Sequence, residues 1–214
     1  MNWLNLRHPN EKAGVTMRTK DLVWIILLAL AVFLTVCLKY LPYFPGDVGI
    51  TRLVQSVLPE SKYWAQVMSS TAKTPWVFVL IAITFVLSWV IAGWRASLLA
   101  LASFVGMWLL GTWLGPVIAQ PRPSPELIQV AEATSGSAFP SIFAFNYVST
   151  VGFLAVLGAA KASGPLRWAI LLICCSLLAI GGIARIELAA HWPSDVAVSY
   201  LIGLLWVTLL MRFI

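Results

Sequence analysis

The sequence predicts an all-α, polytopic membrane protein with about six transmembrane helices. Three observations carry that reading. Of the 214 residues, 60% are hydrophobic and only 10% are charged, against roughly 25% charged in soluble domains. Several stretches run about 18 residues or more with few charges, the length needed to span ~30 Å of hydrocarbon. Those stretches are continuous Leu/Ala/Val/Ile/Trp runs. A membrane barrel would instead show ~10-residue segments of strict alternation.

Taken in order, residues 1–21 form a polar tail carrying Arg7, Lys12, Arg18 and Lys20. The first span covers about 22–41. It follows a basic stretch and lacks a small-residue cleavage pattern, so it reads as a retained helix rather than a removed signal peptide. The connection 42–75 is broken by Pro42, Pro45 and Pro59. Within it Val48, Ile50, Leu53, Val54, Val57 and Leu58 recur at roughly helical spacing, which predicts an interfacial helix. The second span is about 76–92, and a tight turn at Gly93-Trp94-Arg95 leads to the third, about 96–119. Residues 120–139 are a polar loop rich in Pro, Ser and Glu. The fourth span is about 140–160, the fifth about 168–184 and the sixth about 193–210. A short polar corner, 185–192, joins the last two. The domain plan is a cytoplasmic basic tail (1–21) followed by one six-helix membrane domain (22–214).

The net charge of +6 reads as membrane topology, with no nucleic-acid partner implied. Arg7, Lys12, Arg18, Lys20, Arg95, Lys161, Arg167 and Arg212 fall on one side of the spans. Lys39, Arg52, Lys62, Lys73, Arg122 and Arg185 fall on the other, with six acidic residues. The positive-inside rule makes the first side, and both termini, cytoplasmic. Cys37, Cys174 and Cys175 lie in apolar spans, and they suggest neither a disulfide framework nor a metal site. No cofactor is expected.

Three pieces of chain carry candidate chemistry, all on the outer side. They are Pro121-Arg122-Pro123, Phe139-Pro140-Ser141, and the run from Arg185 through Glu187 and His191 to Asp195. Ionisable groups at the ends of spans are costly and often functional. Two arginines, a hydroxyl and a helix start make a plausible phosphate cradle. A His followed four residues later by an Asp can share a helix face, so that the carboxylate orients the imidazole as nucleophile or base. Each piece alone also has a plain structural reading. Arg122 can anchor to headgroups, Pro140-Ser141 can be a helix start with a local hydroxyl bond, and His191 with Asp195 can cap a helix. His191 is the only histidine outside the N-terminal tail.

The segment Arg185-x5-His191-x3-Asp195, with Ala-His-Trp-Pro-Ser-Asp-Val around it, resembles the third motif of the type 2 phosphatidic acid phosphatase superfamily. That superfamily includes undecaprenyl-pyrophosphate phosphatases and is related to vanadium haloperoxidases. The order and spacing of all three pieces agree with it, over about residues 47–214. The resemblance implies a type 2 phosphatidic acid phosphatase-like helical bundle in a bacterial-type inner membrane, with the site facing outward and open laterally to lipid. It implies His191 as the nucleophile that takes the phosphoryl group and Asp195 as its orienting carboxylate. Arg122 and Arg185 match the phosphate clamps, and Ser141 the phosphate-binding serine.

The chain departs from the family pattern at informative places. Gly115 stands where the first motif has Lys. Ile142 and Phe143 stand where the second motif has Gly and the general-acid His, and Ala184 precedes Arg185 in place of Ser. Losing a general acid costs about 10²–10⁴ in rate, and a missing transition-state cation has a comparable cost. Two functions therefore compete. One is a lipid phosphatase or phosphotransferase acting on a lipid phosphate or pyrophosphate, such as undecaprenyl pyrophosphate. The other is a pseudophosphatase that binds such a lipid as a carrier or as a subunit beside another membrane protein. A purely structural membrane role is a third. Glu126, Glu132 and Glu187 are the nearby candidates for a substitute proton donor.

Overall fold

The computed structural model describes residues 18–214, so Arg7, Lys12 and most of the polar tail lie outside the described residues. Helix α1 spans Thr19–Tyr40, α2 Asp47–Val57, α3 Tyr63–Ser70, α4 Trp76–Ala92 and α5 Trp94–Ile118. Helix α6 (Ile142–Tyr147) passes through a π-helical turn, Val148–Gly152, into α7 (Phe153–Lys161). Helices α8 (Gly164–Glu187) and α9 (Pro193–Leu210) complete the bundle, and a short 3₁₀ turn follows.

Five helical stretches are long and apolar enough to cross a bilayer: Thr19–Tyr40, Trp94–Ile118, Ile142–Lys161, Gly164–Glu187 and Pro193–Phe213. The remaining expected span, Trp76–Ala92, is 17 residues long, at the lower limit of the spanning range. Together they make a multi-pass membrane protein. Large apolar side chains face outward along these helices, among them Val90, Trp113 and Leu172. A water-soluble fold does not leave such a surface uncovered.

The α6–α7 stretch is the central post, with 83% of its apolar window buried. Phe145, Val148, Phe153 and Leu157 are fully enclosed there. Close approach to the post depends on small residues. A Cβ at Gly203 of α9 would collide with Val148 in the π turn, and one at Gly111 of α5 would lie 2.7 Å from the Ile142 Cδ1. Small residues of this kind let membrane helices approach where lipid supplies no hydrophobic drive. Gly93, at φ 82°, makes the left-handed turn between α4 and α5 that a side chain would strain.

Two polar ends bound the bundle. At one, Arg212 pairs with Asp21 at 2.9 Å and Lys161 donates to the Ile214 carbonyl at 3.2 Å. At the other, α2 and α3 close over the ends of α8 and α9. Asp47 opens α2 and is buried. It accepts from the Ser194 N–H (3.0 Å) and hydroxyl (2.7 Å) at the start of α9. Glu187, at the end of α8, is fully buried and pairs with Lys62 just before α3. The helix expected within 48–58 is α2. The expected corner at 185–192 is shorter than the sequence suggests, because Arg185 and Glu187 belong to the last turn of α8.

Candidate active site

The loop between α5 and α6 folds back on itself and presents its carbonyls to His191. Gln120 N–H donates to the Ser137 hydroxyl at 2.9 Å, and Ala138 N–H donates to the Gln120 carbonyl at 2.9 Å. This leaves the Ala138 carbonyl facing the imidazole, and His191 Nδ1 lies 2.6 Å from it. A carbonyl only accepts, so Nδ1 carries the proton and Nε2 carries the lone pair. Nε2 sits 3.5 Å from Arg122 Nη1. His191 is 3% exposed.

Arg122 is itself fixed by backbone. It donates to the carbonyls of Ala190 (2.5 Å), Gly136 (3.3 Å) and Ser135 (3.3 Å). Its guanidinium bridges the 120–138 loop to the segment that bears His191. Arg185, 4% exposed, comes from the last turn of α8 and lies 5.7 Å over the Phe143 ring. Arg122, Arg185, His191, Ile142 and Phe143 line one cavity of about 150 Å³, together with Ser69, Lys73, Glu132 and Thr134. The pieces bearing Arg122 and Arg185–His191 therefore meet, beside Ile142 and Phe143 just after the third piece. The volume is that of about five waters, enough for a phosphoryl group but not for a lipid. A second hollow of about 390 Å³ shares Arg122 and Ile142 and runs along Gly111, Gly115 and Pro116 of α5.

Two expected site residues have other hydrogen-bond partners in this geometry. Asp195 does not hydrogen-bond to His191. Its Oδ2 accepts from the Trp192 N–H at 2.9 Å at the start of α9, and the Ala138 carbonyl holds Nδ1 instead. The helix begins between the two residues, at Pro193, so the four-residue spacing is not a shared helix face. Ser141 lies outside the cavity. It is fully buried, and its hydroxyl accepts from Ala144 N–H at 3.3 Å as the cap of α6. Its own N–H donates to the Ser199 hydroxyl at 3.0 Å.

The positions that depart from the family pattern have clear places. Gly115 leaves open space, with no atom within 4 Å of where its Cβ would be. Ile142 is 41% exposed and stands between the two hollows. Phe143 is buried, stacks on Tyr147 at 4.3 Å between ring centroids, and packs against Gly181. It supplies no proton.

Sequence reasoning did not single out Ser69 or Lys73 as site residues. Lys73 lies on the connection between α3 and α4, and its Nζ is 2.9 Å from Glu132 Oε1. Nothing local marks either residue. They reach the cavity because α3 packs on α8, where Ala65 meets Ala184 and Leu188.

Electrostatics favour an anion here and a neutral histidine. Burial is the largest influence on His191 and holds its pKa well below the ordinary imidazole value, with the charges of Arg185 and Arg122 adding to the effect. Burial also lowers the Arg122 pKa, reinforced by Arg185, although an arginine stays charged. Burial pushes the Glu132 carboxyl up, but Arg185 and Lys73 more than offset this, so its pKa lies below the usual carboxylate value. For His191 the unfolded chain binds more protons than the folded one once pH drops below about 6.5. Stability conferred by the neutral ring is thus complete above that pH and is lost as pH falls toward the folded value. Melting curves in detergent are expected to show wild type losing stability relative to His191→Asn below pH 6.5, with a constant difference above it.

The comparisons with known proteins come to the same architecture. The family model of the PAP2 superfamily matches residues 93–214, which includes Arg122, Phe143, Arg185, His191 and Asp195. The crystal structure of a transmembrane PAP2-type phosphatidylglycerolphosphate phosphatase from Bacillus subtilis superposes with a TM-score of 0.70 at 20% identity. The match covers 89% of this chain and 94% of that one, and it shows a shared fold. No curated protein sequence matches the chain at a significant level.

Proposed function

Since the chain belongs to the PAP2 superfamily, we propose that it removes or transfers a phosphoryl group from a lipid phosphate or pyrophosphate through a phosphohistidine on His191. One observation carries this reading. The buried His191 has its Nδ1 proton tied to the Ala138 carbonyl and its Nε2 lone pair facing Arg122 Nη1 at 3.5 Å, in a cavity that also holds Arg185. Nε2 attacks phosphorus, the P–O bond to the leaving group breaks, and the lipid or lipid phosphate departs. Water, or another acceptor hydroxyl, then cleaves the P–N bond and regenerates the imidazole. Arg122 and Arg185 hold the phosphoryl oxygens. The hollow along Gly111 and Gly115 supports a lipid substrate, because it leads from the site along the side of α5. Asp195 acts as a positioning residue by building the α9 start beside His191. Ser141 does the same for α6.

A pyrophosphate such as undecaprenyl pyrophosphate fits the missing acid best. Its leaving group is already a stable phosphate anion. A monoester must expel an alkoxide, and Phe143 cannot protonate it. Purified protein is therefore expected to release phosphate faster from a lipid diphosphate than from a lipid monophosphate. Preference for monoesters would overturn the substrate assignment.

A second reading is the pseudophosphatase that binds a lipid phosphate for carriage or for a partner membrane protein. It is favoured by Phe143 at the general-acid position and by the Glu132 carboxylate lying on Arg185 and Lys73. Tight lipid binding without phosphate release from either class of lipid would select it.

For topology we propose that the end bearing Arg18, Lys20, Lys161 and Arg212 faces the cytoplasm of a bacterial-type inner membrane, with the site outside. A cysteine placed at Glu126 is expected to label from outside in intact cells, and one at Ser163 only after the membrane is opened. Labelling of both from one side would contradict the arrangement.

A further inference from the structure

The first-motif lysine of the family has no counterpart on α5, where Gly115 leaves empty space. The site cavity nevertheless holds a third cation besides the two arginines, because Lys73 lines it from the connection between α3 and α4. Resting on the function proposed above, we infer that the anion seat of this protein is formed by Arg185, Ser69 and Lys73, and that the Glu132 carboxylate is its resident anion, displaced when a phosphoryl group binds.

Glu132 uses the donors an oxyanion would use. Arg185 Nη1 donates to both carboxylate oxygens, at 3.2 Å each. The Ser69 hydroxyl donates to Oε2 at 3.2 Å and the Lys73 ammonium to Oε1 at 2.9 Å. Ser69 is buried and also bonds to Arg185. It thus links cation and anion in one network.

Two features point to a ligand rather than a finished structural pair. Arg185 Nε is buried without a hydrogen-bond partner, and so is the Thr134 hydroxyl on the same cavity wall. Two carboxylate oxygens leave these groups unmet, whereas a tetrahedral phosphoryl group offers three oxygens to the same surroundings. Unmet buried donors are costly, so a ligand that meets them gains by doing so. The cavity also holds three cations, Lys73, Arg122 and Arg185, against the single carboxylate. That leaves a positive surplus suited to a phosphate dianion or a diphosphate.

Glu132 is tethered by backbone, since the N–H groups of Ala131 and Glu132 donate to the Leu188 carbonyl at 3.2 and 3.1 Å. Displacement therefore needs only a swing of the side chain. A ligand that must evict a resident group binds more weakly by the fraction of time the seat is open. Removing the Glu132 charge should tighten binding, while removing Lys73 should loosen it. A Glu132 that merely braced Arg185 would give the opposite sign for the first change.

The test uses the full chain purified in detergent, with orthovanadate as a free oxyanion and phosphatidic acid in mixed micelles as a lipid headgroup. Glu132→Gln is expected to lower the dissociation constant about 10-fold. Lys73→Met is expected to raise it by a similar factor, and Lys73→Arg to hold it near wild type. Lys73 is exposed along most of its length, so its replacement leaves the fold intact. Tightening by Glu132→Gln for both probes supports a seat that serves lipid headgroups. Tightening for vanadate alone supports the seat but assigns it to free oxyanions. Weaker or unchanged binding in Glu132→Gln, with Arg122→Ala abolishing it, would overturn this inference and leave the functional reading standing. No binding of either probe to any of these proteins would remove both.

Discussion

Phe143→His combined with Ile142→Gly is expected to raise hydrolysis of lipid monophosphates by about 10²–10⁴, the usual worth of a positioned general acid. Hydrolysis of lipid diphosphates should rise far less. A monoester leaves as an alkoxide and needs a proton in the transition state. A diphosphate leaves as a phosphomonoester with a second pKa of about 6, stable as an anion near neutral pH. The site can accept the change. Phe143 stands on the cavity wall with its ring 5.7 Å below the Arg185 guanidinium, and imidazole is smaller than the ring it replaces. The lost cation–π contact is worth about 0.5–2 kcal/mol, small beside the catalytic gain. Ile142 is half-exposed between the two hollows, so its removal opens the approach to position 143. Rates on purified protein with matched mono- and diphosphate lipids test this. An equal rise on both classes would show that proton donation does not set the substrate preference.

His191→Asn is expected to remove turnover altogether, a loss of at least about 10³-fold. Asparagine is preferable to alanine because its amide N–H₂ can replace Nδ1–H as the donor to the Ala138 carbonyl. Alanine would leave that buried acceptor unpaired, at a cost of about 1–3 kcal/mol. Vanadate binding should survive in the asparagine variant, since Arg122 and Arg185 remain. Residual turnover in His191→Asn comparable to wild type would place the nucleophile elsewhere.

The six apolar segments were legible because a membrane helix advertises itself by length and by lack of charge. Helix α2 was legible because apolar residues from Val48 to Leu58 repeat at helical spacing. Helix α3 was not, since eight residues between Lys62 and Thr71 carry too short a pattern. The π turn in the central post packs against Gly203 and leaves no local mark. Arg122, Arg185 and His191, singled out by spacing, line one cavity. Helical spacing does not carry Asp195 to His191, because α9 starts between them. Trp192-Pro193-Ser194-Asp195 carries that start in its own residues, with Pro at the first helical position and an acid at the third. Ser141 was read toward the phosphate, although its alternative as a helix cap is the role its hydroxyl plays. Ser69 and Glu132 meet Arg185, and Lys73 meets Glu132, each across more than 50 residues of sequence. Only the docking of α3 on α8 brings them together.

The measurement closest to the central claim is trapping of the phosphoenzyme. Wild-type protein and His191→Asn would be mixed with a lipid diphosphate labelled in its terminal phosphate, quenched within the first turnover, and mapped by peptide. The account predicts an acid-labile, base-stable phosphate on His191 in wild type and none in the variant. Label on another residue, or phosphate release by wild type with no labelled protein at any time, would contradict it.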